Sequence, residues 1–348
     1  MQQASLPPQG LSRRRMVMAL PLLGGAVWGG GASAGARVVS ERSSRPLMGT
    51  QVDMAVEGVD GPQLRRAMDR AYAEMQRLEA LMSRYQPRSV VSRINLAAGV
   101  TPVMVPAEVM AVLQGAQRVS ATSRGAFDVT VGAFKSWNFG PGDKVVPGAS
   151  EIARQLPLVD AGSLVLDVAA GTAFLARQGM ALDLGGIAKL PILEAGMNML
   201  RSEGVENAMV NGGGDVLTHG LWQGRPWRVG LRDPRSPERL LGVVAVAGAG
   251  VVASSGDYER FFFHQGQRQH HVLNPRTGRP ASGVHGVSLV ARDVAAVNGL
   301  GAALMVQGPQ AGRALAQRMP GLAVLIAGQD GGVWQSTAMS ALLEPVPS

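Results

Sequence analysis

An α+β fold is what the sequence predicts, and three observations predict it. The first half carries apolar residues at helical spacing, most plainly Leu64, Met68, Ala71, Met75, Leu78 and Met82 with charged residues between them. The second half breaks into short strand-like runs separated by glycine and proline turns. No fixed repeat runs through the chain. The strands cluster late with helices inserted among them, which favours α+β over a doubly wound parallel sheet.

Taken in order, residues 46–57 alternate apolar and polar and predict a strand. Residues 62–84 predict the first helix, with methionines filling its buried face. A second helix runs from Pro106, a favourable first-turn residue, to about Thr122. Residues 138–163, rich in glycine, proline and charge, read as a long surface loop that allows a domain boundary without demanding one. A third helix over 187–202 follows the Gly185-Gly186 turn. Strands are expected at 206–211, 214–219, 226–232, 241–253, 259–264, 269–273 and 284–291, and helices at 293–306 and 310–319.

With 348 residues, 46% hydrophobic and 17% charged, the chain is globular and long enough for one large domain or two ordinary ones. It has no cysteine, which excludes disulfides, zinc–thiolate sites, thiol nucleophiles, iron–sulfur clusters and a cysteine-linked lipid anchor. The formal charge of +8 comes from 33 Lys+Arg against 25 Asp+Glu. Only Lys135, Lys144 and Lys189 are lysines. The arginines are scattered through an Ala- and Gly-rich sequence with no interleaved aromatic stripe, so nucleic-acid binding is not expected.

The N-terminus predicts an export signal. Arg13-Arg14-Arg15 precede an apolar run from Met16 to Trp28 and small residues from Gly29 to Ala36, the order of a secretory leader. The paired arginines point to the twin-arginine route, with cleavage after Ala34 or Ala36, a periplasmic destination and one mature unit over 37–348. Pro21 and the glycines of residues 24–31 interrupt a run already short for a membrane span, so no stable membrane anchor is expected.

Several polar and glycine-rich clusters are poor core material. They are Met48-Gly49-Thr50, Ser83-Arg84-Tyr85, residues 92–95, 125–131 and 137–141, Asp183 to Lys189, Asn211 to Asp215, Ser254 to Arg260 and His270 to Gly278. Asp183 to Lys189 suits an ordinary strand–turn–helix and equally a backbone amide pocket that receives a phosphate. Lys189 sits on the first helical turn, where the macrodipole disfavours a cation unless it meets an anion. Asn211 to Asp215 reads as a hairpin turn. In the last block Asn274-Pro275 and Thr277-Gly278 signal turns. A histidine directly before them is either structural or held at a fixed angle for catalysis.

In this order the blocks resemble the ApbE family, the FAD:protein FMN transferases, from Met48 to about Met339. The most specific pieces are Asp183-Leu184-Gly185-Gly186-Ile187-Ala188-Lys189, Ser254-Ser255-Gly256-Asp257-Tyr258-Glu259-Arg260 and His271-Val272-Leu273-Asn274-Pro275-Arg276-Thr277-Gly278. The resemblance implies an ApbE-like fold of mixed or antiparallel sheets with inserted helices. It implies a magnesium-dependent transferase that cuts the pyrophosphate of FAD and passes FMN, through a phosphoester, to a Thr or Ser of a partner flavoprotein.

The same resemblance assigns Met48 and Tyr85 as walls for flavin and adenine, and Ala126, Phe127 and Asp128 as dinucleotide contacts. Asp183 and Lys189 hold FAD at the strand-to-helix turn, Leu273 contacts it through backbone, and His271 is the base for the incoming hydroxyl. The implied metal positions are Gly186, through its carbonyl, Asn298 and Ala302. At the last two the family has an aspartate and, four residues on, a threonine. A neutral amide binds a hard dication far less well, and alanine supplies no side-chain oxygen. Leu190-Pro191 also stand where the family usually has Gly-Tyr. The sequence therefore predicts weak magnesium binding, and it leaves open FMN transfer, an FAD carrier or scaffold without transfer chemistry, and FAD hydrolysis to FMN and AMP.

Overall fold

A computed structural model describes residues 38–346 apart from Pro141, Asp143 and Pro320. The expected leader, residues 1–36, lies outside the described residues. In chain order the elements are β1 (Val39–Leu47), β2 (Thr50–Gly58), α1 (Gly61–Met82), α2 (Val90–Leu96), β3 (Val103–Met104), α3 (Ala107–Thr122), α4 (Ala149–Gln155), β4 (Leu164–Asp167) and β5 (Thr172–Leu175). Then come α5 (Lys189–Ser202), β6 (Asn207–Gly212), β7 (Asp215–His219), β8 (Trp227–Asp233), β9 (Ser236–Val246), β10 (Gly250–Gly256), β11 (Phe261–His264), β12 (Gln267–His270) and β13 (Val284–Ala291). The chain closes with α6 (Leu300–Gln317), β14 (Ala323–Gly328), β15 (Val333–Gln335), α7 (Thr337–Leu342) and β16 (Leu343–Glu344).

The centre is an eight-stranded sheet in the order β1-β2-β6-β7-β10-β13-β14-β15, every neighbouring pair antiparallel. This is the α+β class, with antiparallel sheets rather than mixed ones among the named strands. Strand residues alternate between the two faces. Val52, Met54 and Val56 enter the larger core with α1, α3, α5 and α6, while Ala55 enters a second core on the opposite face. That second core is closed by Trp227, Val229 and Val244 of the β16-β9-β8 sheet and by Met339 of α7.

Helix α1 forms where its periodicity places it. Asp60 caps it by accepting the Gln63 N–H at 3.1 Å, and Pro62 lies in the first turn. Its stripe Leu64, Met68, Ala71, Met75, Leu78 and Met82 is buried. Gly196 of α5 lets the two helices approach, because a Cβ there would stand 2.8 Å from Met75 Sδ.

Several expectations are corrected. The predicted strand 46–57 is a hairpin: Leu47 pairs with Thr50, and Met48 and Gly49 turn at φ 53° and 67°. Both values suit a two-residue turn that matches strand twist. The run 241–253 divides into β9 and β10 at Ala247-Gly248-Ala249. The loop expected over 138–163 contains α4 and two short 3-10 turns. The helix expected from 293 begins at Leu300, and the two predicted C-terminal helices form α6 with a kink at Gly308-Pro309. One end of the central sheet gathers the Met48-Gly49 turn, the β6–β7 turn and the end of β10, because Val52 pairs with Gly212 and Val252 with Val216.

Candidate functional site

At this end of the sheet Asp215 opens β7 with 5% of its surface exposed. A buried carboxylate needs hydrogen bonds and a cation, and it has both. One oxygen accepts the Ser254 N–H at 2.9 Å and the other pairs with Lys189 Nζ at 2.8 Å. The anion that justifies a lysine at the start of α5 is therefore a protein carboxylate. Asp183 is likewise engaged. One oxygen accepts the Gly185 N–H and the other pairs with Arg84 at 2.8 Å. Both residues expected to hold FAD are thus first of all parts of the turn's own scaffold.

The other expected residues fall around this turn in different ways. Met48 is half-buried and its N–H donates to Glu79 Oε1 at 3.0 Å. Tyr85 is 75% exposed, with the Arg84 guanidinium 5.4 Å from the centre of its ring. Such a face suits stacking with a ligand ring. Ala126 and Phe127 are buried, and the Phe127 ring lies against Gly186, where a Cβ would be 3.2 Å away.

Asp128 is held by the protein's own donors. It is 8% exposed, one oxygen accepts from Thr130 N–H and hydroxyl, and the other accepts the Ala161 N–H at 2.9 Å. Burial holds its carboxyl above the usual range. These bonds tie the segment to the 160–161 turn, and the side chain also borders open space. With Pro275 and Arg276, Asp128 lines one wall of an open cleft of about 480 Å³.

Leu273 packs beside Phe134, Trp137 and Phe262 and bridges to Pro280. The neighbouring His271 donates its N–H to the Arg260 carbonyl at 3.1 Å. Its ring is open to solvent. The protein mass around it, then His270, Arg260 and Lys189, push its pKa down to about 4. The imidazole is neutral near pH 7 and able to accept a proton.

Helices α5 and α6 start without side-chain caps, at Ala188 and Gly299. Gly299 lies against Ile187, since a Cβ there would stand 3.4 Å from its Cδ1, and Gly301 lies against Ser255. The three metal positions Gly186, Asn298 and Ala302 are therefore brought to neighbouring helix starts. Their donor set is a carbonyl, an amide and no side-chain oxygen from Ala302. No cluster of three or more His, Asp or Glu that could hold a metal ion occurs among the described residues. These residues do not fit a tightly bound dication.

Sequence reasoning missed Arg84, Asp215 and Arg260 as site residues. Each lies inside a block the sequence singles out, but their pairing spans 99 residues for Arg84–Asp183 and appears only in three dimensions.

An antiparallel α+β scaffold with an exposed tyrosine ring, uncapped helix starts and an exposed histidine belongs to the class of folds suited to a phosphate-bearing ring ligand. Within that class the chain belongs to the ApbE family, whose model matches residues 48–326. A Klebsiella pneumoniae (strain 342) relative named FAD:protein FMN transferase is 37% identical over 213 residues, covering 61% of this chain and 66% of that protein. A Vibrio cholerae relative of the same name is 31% identical and covers 79% of this chain and 83% of its own. Among solved structures, the ApbE protein from Thermotoga maritima is similar at TM-score 0.81 and 30% identity, over 88% of this chain and 100% of that one. The apo flavinyl transferase ApbE of Pseudomonas stutzeri gives TM-score 0.78 at 27% identity, over 89% and 98%.

Proposed function

We propose that this chain is a working FAD:protein FMN transferase that modifies a Thr or Ser of a partner flavoprotein. The observation that carries the reading is His271: an exposed imidazole whose backbone N–H is fixed by the Arg260 carbonyl. The acceptor hydroxyl gives its proton to His271 as its oxygen bonds to the FMN phosphorus. The bond from that phosphorus to the bridging oxygen breaks, and AMP leaves with the electron pair. The N–H groups at the starts of α5 and α6 favour the anionic ligand. Tyr85 and Met48 flank the rings.

No step above runs through magnesium, because Asn298 and Ala302 do not give it a tight site. The same substitutions favour a second reading, an FAD-holding protein without transfer chemistry; hydrolysis of FAD alone calls on the same metal and gains nothing from them. Incubating the chain with FAD and a flavin-free acceptor, and reading intact mass, separates them. Transfer adds FMN to the acceptor, whereas free FMN and AMP, or unchanged FAD, would discard the transferase reading.

We also propose periplasmic residence through twin-arginine export, on the strength of Arg13-Arg14 alone. Replacing both with lysine keeps the charge and should leave an uncleaved precursor in the cytoplasm. Normal processing of that variant would refute the route.

A further inference from the structure

Binding and cleaving a pyrophosphate is favoured where cations offset its negative charge. In this chain the residues at the divalent ion's positions supply one amide and no second side-chain oxygen. Three cationic side chains stand at the site instead, and two are already neutralised. Lys189 is held by Asp215 and Arg84 by Asp183, each at 2.8 Å.

Arg260 is different. It is exposed and has no acidic side-chain partner among the described residues. Its guanidinium lies over the Met48-Gly49 turn, so closely that a Cβ on Gly49 would stand 2.8 Å from Nη2. Its own carbonyl accepts the N–H of His271, which ties this cation to the base through one hydrogen bond. A guanidinium against the Met48-Gly49 turn, on the residue whose carbonyl holds the His271 backbone, thus carries a charge unmatched by any acid among the described residues.

We propose that Arg260 offsets the pyrophosphate charge of FAD in place of the divalent ion, so that FAD binding proceeds without magnesium. The proposal rests on the FAD-site reading above. Arginine suits this role because it stays protonated throughout the working pH range and its planar fork of N–H donors matches phosphate oxygens. As the bond to the bridging oxygen breaks, charge grows on the departing AMP phosphate and on the non-bridging oxygens. The guanidinium N–H groups meet that charge, while the proton goes to His271 as before.

Titrations of FAD and of riboflavin, which carries the ring without phosphate, test this in EDTA and in millimolar magnesium. FAD affinity of the unaltered chain should agree between the two buffers. Arg260→Gln should weaken FAD by about tenfold or more in both, the scale of a lost charge-assisted contact, and leave riboflavin unchanged. Arg260→Lys should recover part of the loss. An Arg260→Gln chain that binds FAD as tightly as the unaltered one, or FAD binding that collapses in EDTA, overturns the proposal. These titrations need no acceptor, so a chain that holds FAD through Arg260 yet transfers nothing would sink the transferase reading alone.

Discussion

A histidine acts as a base only while neutral, and His271 keeps that form to lower pH than a free imidazole. The cause is the surrounding protein together with His270, Arg260 and Lys189. Transfer should therefore hold steady as pH falls from 8 to 6.5 and decline only below about 6.5, the ordinary histidine value. His271→Ala should abolish transfer and leave FAD bound. A rate that halves near pH 7, or a His271→Ala variant with full activity, would remove this residue from the role. Asp128 shows the opposite relation of residue to motif. Its carboxylate is spent on Thr130 and Ala161, so Asp128→Ala should cost about 2–3 kcal/mol of stability through stranded buried donors. FAD affinity of the folded protein should change by less than about threefold. A large loss of FAD binding with unchanged urea midpoint would return Asp128 to the ligand site.

At the scale of elements, what was legible follows from what the sequence repeats. The stripe of α1 is a period of 3.6 over 22 residues, long enough to read without ambiguity. The β1–β2 hairpin was not legible, because its turn places Met48 at φ 53°, a conformation that no residue signal announces for methionine. Helices α2 and α4 have seven residues each, too few for a period to emerge. Strand β14 is buried along its whole length and so lacks the alternation that marks a strand. The site blocks were legible as glycine-rich and polar clusters. Their pairings were not, since Lys189–Asp215 and Arg84–Asp183 join separate elements. The start of α6 carries its own test. Asn298→Asp with Ala302→Thr adds a carboxylate and a hydroxyl beside the Gly186 carbonyl. Calorimetry should then show magnesium binding tighter than in the unaltered chain, and magnesium should raise FMN transfer or FAD hydrolysis by about tenfold, equivalent to about 1.4 kcal/mol. No added binding would mean that these positions do not form the metal site here.

For the whole molecule, histidines tie stability to acid. Three of the five, His219, His270 and His271, have pKa values pushed below the ordinary one, chiefly by burial. His270 is the most enclosed, at 1% exposure. Its Nε2 lies 2.9 Å from the Ala281 carbonyl and so carries the proton, while Nδ1 is buried without a partner. A second proton there would place an unpaired charge in the core. The unfolded chain takes up those protons near pH 6.5 and the folded chain does not, so stability is complete above about 6.5 and falls as pH drops below it. While only the unfolded state is protonated, each such histidine adds up to about 1.4 kcal/mol per pH unit to the slope. His270 contributes most and the solvent-reached His271 less. Carboxylates divide in two. Asp128 and Glu194, raised by burial, oppose the fall near their own titration. Glu74, Glu108, Asp160 and Asp233, lowered by hydrogen bonds, release their contribution only in stronger acid. Urea unfolding at pH 8, 7, 6 and 5 should thus show a plateau above neutrality and a decline beneath it. His270→Gln, which keeps an N–H for Ala281 but cannot take up a proton, should flatten that decline. An unchanged slope in the variant would place the acid sensitivity elsewhere.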